Sequence, residues 1–267
     1  MSLLLAALST LPITYAFRPE TPMDYDVRVR FEGFIPILGG QQGVVEVKMD
    51  LRVVGAPESD GTLRASSELR SVNITFNGVN LPLTLDNVVE FFPKTTVTMT
   101  PFGKVRTTDA PDKVLPVKLP GLDSKRFPDI TYLPIEFPEA GIELNRAFEF
   151  TKAFGSSPVV YTSTPDQITD ATVRLAVVVR QDYTVLENES VEVVATEAEA
   201  IRRVKTEVRG SGVVHFDRKV GSLGEMSISA TAGSEVIDLK TQEKTQRELK
   251  TLLEVRRRTP VWKSPTP

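Results

Sequence analysis

The chain has 267 residues and a net charge of −3, with 40% hydrophobic and 25% charged residues, which is enough apolar matter for a sizeable globular core. It has no cysteine and one histidine, which excludes disulfides, thiolate nucleophiles, iron–sulfur clusters and zinc sites built on Cys or several His, and leaves any Ser–His–Asp machinery to rest on His215 alone. Lys and Arg (32) are balanced by Asp and Glu (35), so nucleic acid is not an expected partner.

Valine (33) and threonine (27) are abundant, and their branching at Cβ suits a pleated strand better than a helix. In chain order, residues 3–11 (LLLAALSTL) form an apolar run too short to span a bilayer as a helix but matching the core of a secretory signal. Residues 1–16 are therefore read as a signal or N-terminal apolar segment. Ala16/Phe17 is the candidate cleavage point; cleavage after Ala7 or Leu8 would spare residues 13–17 as a strand. Export to the periplasm or beyond is the expectation, with a cytoplasmic location if the segment is not a signal. No transmembrane span is predicted.

Residues 23–31 alternate, with Met23, Tyr25, Val27, Val29 and Phe31 on one face and Asp24, Asp26, Arg28 and Arg30 on the other. This period of two marks a half-buried antiparallel strand. Residues 33–43 read as a Gly-rich turn with an apolar tip of Phe34, Ile35, Ile37 and Leu38. Strands follow at 44–54 and 62–76, the second ending at Asn77-Gly78, a strong hairpin signal because both residues tolerate positive φ. In 83–92, Leu85, Val88, Val89 and Phe92 recur at helical spacing, which predicts one short helix stopped by Pro93. Short strands are expected at 95–100 and 104–108.

Residues 111–138 hold six of the nineteen prolines, interleaved with apolar residues, and read as an ordered crossover. Further strands are expected at 142–150, 159–164, 171–186, 190–196, 200–216 and 223–239, with a helical turn at 197–203 as an alternative. Residues 248–257 favour helix by propensity, but Leu249, Thr251, Leu253 and Val255 alternate and close a hairpin with the preceding strand, so strand is predicted. The domain reading is a first β half at 17–110, the crossover at 111–141, a second β half at 142–258 and a tail at 259–267; the halves are allowed to form one domain.

Catalytic motifs are weak. Val213, His215 and Asp217 would share one strand face, which allows a His–Asp pair, but no nucleophile motif accompanies it. Gly39-Gly40 and Gly210-x-Gly212 lack the helix and lysine of a phosphate cradle and read as hairpin tips or bulges. Asp109, Asp112, Asp123 and Asp129 lack calcium-loop spacing. Asn73 and Asn188 stand in glycan-acceptor triplets, and Arg256, Arg257, Arg258 and Lys263 form the one basic cluster. No catalytic, cofactor or metal residue is assigned. The candidate contact residues are Phe34, Ile35, Ile37, Leu38, Phe91 and Phe92, which could present an apolar surface or line a pocket for an apolar ligand or partner.

Residues 204–235 (VKTEVRGSGVVHFDRKVGSLGEMSISATAGSE) resemble a recurrent pattern in exported bacterial β-proteins of unknown function: a strand ending in Gly-x-Gly, then Phe-Asp, a turn with Gly, and a strand of small polar residues. Residues 13–31 are similar to their opening hairpin. The resemblance covers roughly a fifth of the chain. It implies export and, in some such proteins, a curved half-barrel like that of lipoprotein carriers. It carries no catalytic residue.

The expected fold is all-β, with mostly antiparallel curved sheets, half-barrel or sandwich-like, and one short helix. The expected function is that of a non-enzymatic exported protein binding a lipid, another apolar small molecule or a protein partner on a curved sheet. The alternatives are a structural or assembly module of a cell-envelope complex with an envelope protein partner, and a carboxylate-dependent hydrolase.

Overall fold

A computed structural model describes residues 10–35, 40–82, 94–109, 135–154 and 157–258. Its strands are β1 (Met23–Ile35), β2 (Gln41–Pro57), β3 (Leu63–Phe76), β4 (Val79–Asn80), β5 (Thr95–Met99), β6 (Val105–Asp109), β7 (Phe148–Phe154), β8 (Ser157–Ile168), β9 (Thr172–Glu187), β10 (Val193–Val194), β11 (Arg202–Asp217), β12 (Ser222–Asp238) and β13 (Lys244–Arg257). All belong to one antiparallel sheet in the order β6-β5-β3-β2-β1-β13-β12-β11-β9-β8-β7, with β4 added to β3 and β10 to β9. The described residues contain no helix; the short helix expected over 83–92, with its Phe91 and Phe92, lies outside them and is not borne out.

Strand alternation is the cause of this architecture. In β1, Met23, Tyr25, Val27, Val29 and Phe31 are buried while the residues between them are partly or fully exposed. Asn77 and Gly78 both have positive φ (49° and 81°), as a two-residue primed turn requires, and they close the β3–β4 hairpin. Residues 244–257 are strand, because Leu249, Leu253 and Val255 face the core with a period of two, and this outweighs local helix propensity.

Four expected elements differ. The turn expected over 33–43 gives up residues 33–35 to β1 and 41–43 to β2, where Gly33 pairs with Gly43 and Ile35 with Gln41. Residues 13–17 are extended, with Ile13, Tyr15 and Phe17 buried, yet they join no ladder. The strand expected at 190–196 shrinks to β10, and 197–199 form a turn in which Ala200 N–H donates to Glu197 O at 3.2 Å. The strand expected from 142 begins only at Phe148. Ile142 instead makes an isolated bridge to Leu11, and Gly141, at φ 86°, lies against the Leu11 backbone too closely for a Cβ.

The first strand pairs with the last: β1 runs antiparallel to β13, from Tyr25 opposite Arg257 to Gly33 opposite Leu249. Strands from both ends of the chain therefore share one continuous sheet.

The sheet is strongly curved. Tyr15 N–H donates to Pro101 O at 2.7 Å in the β5–β6 turn, and the next amide, Ala16 N–H, donates to Gly221 O at 2.8 Å in the β11–β12 turn. β5 and β12 stand five strand spacings apart in the order of the sheet, about 24 Å if it lay flat. Two successive amides reach both turns only because the sheet curls round them. Phe137 ties the edges in the same way: its N–H donates to Phe102 O at 2.9 Å beside edge strand β6, and its ring lies 6.2 Å from that of Phe148 on the opposite edge strand, β7. The result is an open half-barrel whose two edges, which do not hydrogen-bond to each other, are drawn together at one end.

Aromatic packing closes that end. The Phe216 ring on β11 meets Tyr15 edge-on at 5.0 Å and Phe137 edge-on at 5.1 Å. Tyr15, Phe137 and Phe216 come from three distant parts of the chain and are each at most 4% exposed. They form the floor of the half-barrel.

Candidate ligand-binding hollow

The inward side chains stack in rows across the central strands, and the rows change character with height above the floor. Nearest the floor, Leu175, Val214, Met226, Val255 and Val27 are register neighbours and are all buried. Above them the inward positions of β11 and β12 become small: Gly212 stands opposite Ile228, Gly210 opposite Ala230 and Val208 opposite Ala232. Ile228, Ala230 and Thr251 point inward yet are only partly buried, so the middle of the inner face is less tightly covered than the row below it. The top row is polar and runs Tyr183–Thr206–Ser234–Arg247 across β9, β11, β12 and β13.

Gly210 and Gly212 are neither hairpin tips nor bulges. They lie in unbroken register in mid-strand; the β11–β12 register shifts only between His215 and Phe216. Their role is spatial. A Cβ at Gly212 would lie 2.1 Å from Ser227 O and one at Gly210 would lie 2.7 Å from Ser229 O, so glycine lets the two strands pass closely. Two glycines at i and i+2 on a strand share a face, and that spacing was the available signal.

The polar row is held by specific bonds. Arg247 Nη1 donates to Glu187 Oε2 at 2.7 Å, and both side chains are largely buried. The Arg247 guanidinium also lies 4.2 Å above the Phe34 ring. Gly40, at φ 80°, packs against that ring with no room for a Cβ. Thr206 Oγ1 and Ser234 Oγ share a hydrogen bond of 2.8 Å. Burial pushes the Tyr183 phenol up to about 12, with a hydrogen bond to Thr206 opposing the shift. One row lower, Gln181 is 3% exposed; its Nε2 donates to Ser157 O at 3.1 Å, while Oε1 has no partner among the described residues.

The structure packs Ile35 into the core at 1% exposure and places Phe34, partly buried, under Arg247. Ile37, Leu38, Phe91 and Phe92 lie outside the described residues, as do Asp112, Asp123 and Asp129. His215 points outward between inward-facing Val214 and Phe216. The Asp217 carboxylate accepts from Arg257 at 2.6 Å and from the turn amides of Lys219 and Val220, so its bonding serves the β11–β12 turn. Of the basic cluster, Arg257 is committed to Asp217 and Ser222, and Arg258 bridges Asp26 and Asp50.

A groove of about 620 Å³ also crosses the outer face over β3, β2, β1, β13 and β12. Its lining includes the outward side chains Asp26, Arg28, Lys48, Asp50 and Glu254. They already pair among themselves and with neighbours, Arg28 with Glu46 and Glu254, and Asp26 and Asp50 with Arg258. The inner face carries the partly exposed apolar side chains Ile228 and Ala230, so it is the stronger candidate for an apolar ligand.

No protein-family profile and no curated protein matches the chain. Among solved structures, the chain is similar to lipovitellin, in a structure described for its lipid–protein interactions. The TM-score is 0.54 at 11% identity, over 94% of this chain and 27% of the lipovitellin chain. The likeness is one of fold, and the chain spans about a quarter of the length of that protein. A protein of unknown function with a hot dog fold from Alicyclobacillus acidocaldarius aligns with a TM-score of 0.13 at 10% identity, over 88% of this chain and 80% of that one, which is no likeness of fold.

Proposed function

We propose that the protein is a non-enzymatic, exported lipid-binding protein that holds the apolar chain of an amphipathic lipid in the inner hollow, with the head at the polar row. The observation that carries this reading is the layering of the inner face: a dry aromatic floor, a partly exposed apolar middle over small residues, and a row of hydroxyl and charged groups. Lipovitellin, which shares this fold in part, lends support as a protein studied for its lipid–protein interactions.

Export is part of the proposal, and the apolar run at residues 3–11 supports it. Within that reading, processing precedes Leu11. Ile13 and Tyr15 are buried in the floor region, and cleavage at Ala16/Phe17 would remove both.

Native mass spectrometry of protein purified from its source tests the reading: a co-purifying lipid is the expected result. Ala230→Phe places a ring in the hollow and is expected to abolish both the adduct and the binding of a long-chain fluorescent probe while the fold persists. A ligand-free native protein that also fails to take up the probe would refute the proposal.

A further inference from the structure

We infer that residues 11–17 are a releasable strap, and that its release is the step that opens the half-barrel to an apolar ligand; the second half of the inference rests on the lipid-binding reading above. The segment is attached unlike any strand. Its main-chain bonds go to three separate places outside the strands: Leu11 exchanges two bonds of 2.9 Å with Ile142, Tyr15 N–H donates to Pro101 O, and Ala16 N–H donates to Gly221 O. It joins no ladder, so it can leave without breaking a strand of the sheet. Residues 18–22, which lead on to β1, are all exposed and turn through a bond of 2.9 Å from Thr21 N–H to Arg18 O, which supplies a hinge.

The surface under the strap is shaped for it. Three glycines from distant parts of the chain lie along its path, and none has room for a Cβ. At Gly141 a Cβ would lie 2.8 Å from the Leu11 carbonyl carbon, at Gly221 2.6 Å from Ala16 Cβ, and at Gly55 2.4 Å from Phe17 Cγ. Gly141 and Gly221 have positive φ, 86° and 70°, which their turns require in any case. Gly55 has no such need: it pairs in register with Ala65 in the β2–β3 ladder, and the Phe17 ring takes the space of its missing side chain. The strap is thus held by shape and by the burial of Ile13, Tyr15 and Phe17. Tyr15 stands edge-on to Phe216 at 5.0 Å and lies 6.1 Å from Phe137, while the strap's amides hold the β5–β6 and β11–β12 turns to one another. Release uncovers both rings and unties both turns, and the floor end of the curved sheet is then free to widen.

The test locks the strap in the full chain. Leu11 and Ile142 form a hydrogen-bonded antiparallel pair, whose Cα atoms stand about 5.5 Å apart, within the roughly 4.4–6.8 Å that a disulfide spans. The chain has no cysteine, so Leu11→Cys with Ile142→Cys gives one defined bridge, and its oxidised and reduced forms differ in nothing else. Hydrogen exchange of the Tyr15 and Ala16 amides and the stopped-flow rates at which a long-chain fluorescent fatty probe enters and leaves are compared between the two forms. In the reduced form the two amides are expected to exchange together and ahead of the β1 amides. Oxidation is expected to slow that exchange and both probe rates by about tenfold, with the affinity unchanged. Gly55→Ala, checked for native melting, crowds the Phe17 ring and is expected to speed both probe rates. Amides that exchange only with β1, or that ignore oxidation, overturn the strap. Probe rates equal in the two forms, with exchange slowed, overturn its role in ligand entry and leave lipid binding standing. A probe that binds neither form overturns the lipid-binding reading and the ligand half of the inference, while amide exchange still decides the strap.

Discussion

Truncating Tyr15 tests whether the floor holds the sheet in its curve. The side chain is 4% exposed and packs against Phe216 at 5.0 Å, Phe137 at 6.1 Å and Phe17 at 6.4 Å. Replacing a buried aromatic with alanine removes its transfer energy and leaves a cavity, about 3–5 kcal/mol in all, of which the edge-on ring pair accounts for about 1 kcal/mol. The Tyr15 hydroxyl donates to Ile135 O at 3.4 Å, a long bond, so Tyr15→Phe is expected to cost under about 1 kcal/mol. Against a total stability of about 5–15 kcal/mol, Tyr15→Ala removes roughly a third. With a urea slope of about 3 kcal/mol/M, the midpoint falls by about 1–2 M.

The structure adds a spatial signature. Tyr15 and Ala16 amides bond the β5–β6 and β11–β12 turns, so hydrogen exchange in Tyr15→Ala is expected to accelerate at both turns together, although they lie far apart in sequence. A midpoint shift below about 0.3 M, or accelerated exchange at one turn alone, would refute the view that residues 13–17 clip the curved sheet.

Other consequences are open to direct measurement. Arg247→Met strands the buried Glu187 carboxylate and is expected to cost about 3–5 kcal/mol, whereas adding Glu187→Leu recovers much of it; a denaturation double-mutant cycle reads the coupling. On the acid side, burial raises the Asp217 carboxyl, but hydrogen bonds from Arg257 and the Val220 and Lys219 amides outweigh it and hold the group below its usual range. Bidentate hydrogen bonds from Arg52 likewise lower Asp24. Folded values below the unfolded ones give stability that is present above about pH 4 and lost as pH falls through the folded values, and Arg257→Gln should flatten this acid limb in urea titrations. On the alkaline side, burial lifts the Tyr25 and Tyr183 phenols to about 12. Their contribution is complete below the unfolded value of about 10 and disappears between there and pH 12. Tyrosinate absorbance is therefore expected to rise together with loss of β circular dichroism; ionisation of all five tyrosines at normal pH in the folded protein would contradict this burial.

Strand identity was legible because it is a local property. Met23 to Phe31 alternates whatever the rest of the chain does, Asn77-Gly78 accepts positive φ by its own chemistry, and Leu249 to Val255 reads as strand against its helix propensity because one face must be apolar. The site was much less legible. Tyr183, Thr206, Ser234 and Arg247 each look like an ordinary polar residue within a strand, and they become a row only through the register of four strands. Gly210 and Gly212 look like turn signals until their shared inward face is known.

What the sequence alone determined, then, is an all-β chain of half-buried antiparallel strands without thiol or multi-histidine chemistry. Residue alternation and composition act over a few neighbours and need no knowledge of the fold. The tertiary structure decided which strands meet, with β1 beside β13, and how far the sheet bends. It also decided that Tyr15, Phe137 and Phe216 meet and close one end of the curved sheet. Those outcomes depend on contacts between residues more than a hundred positions apart, where local pattern carries no information about the partner.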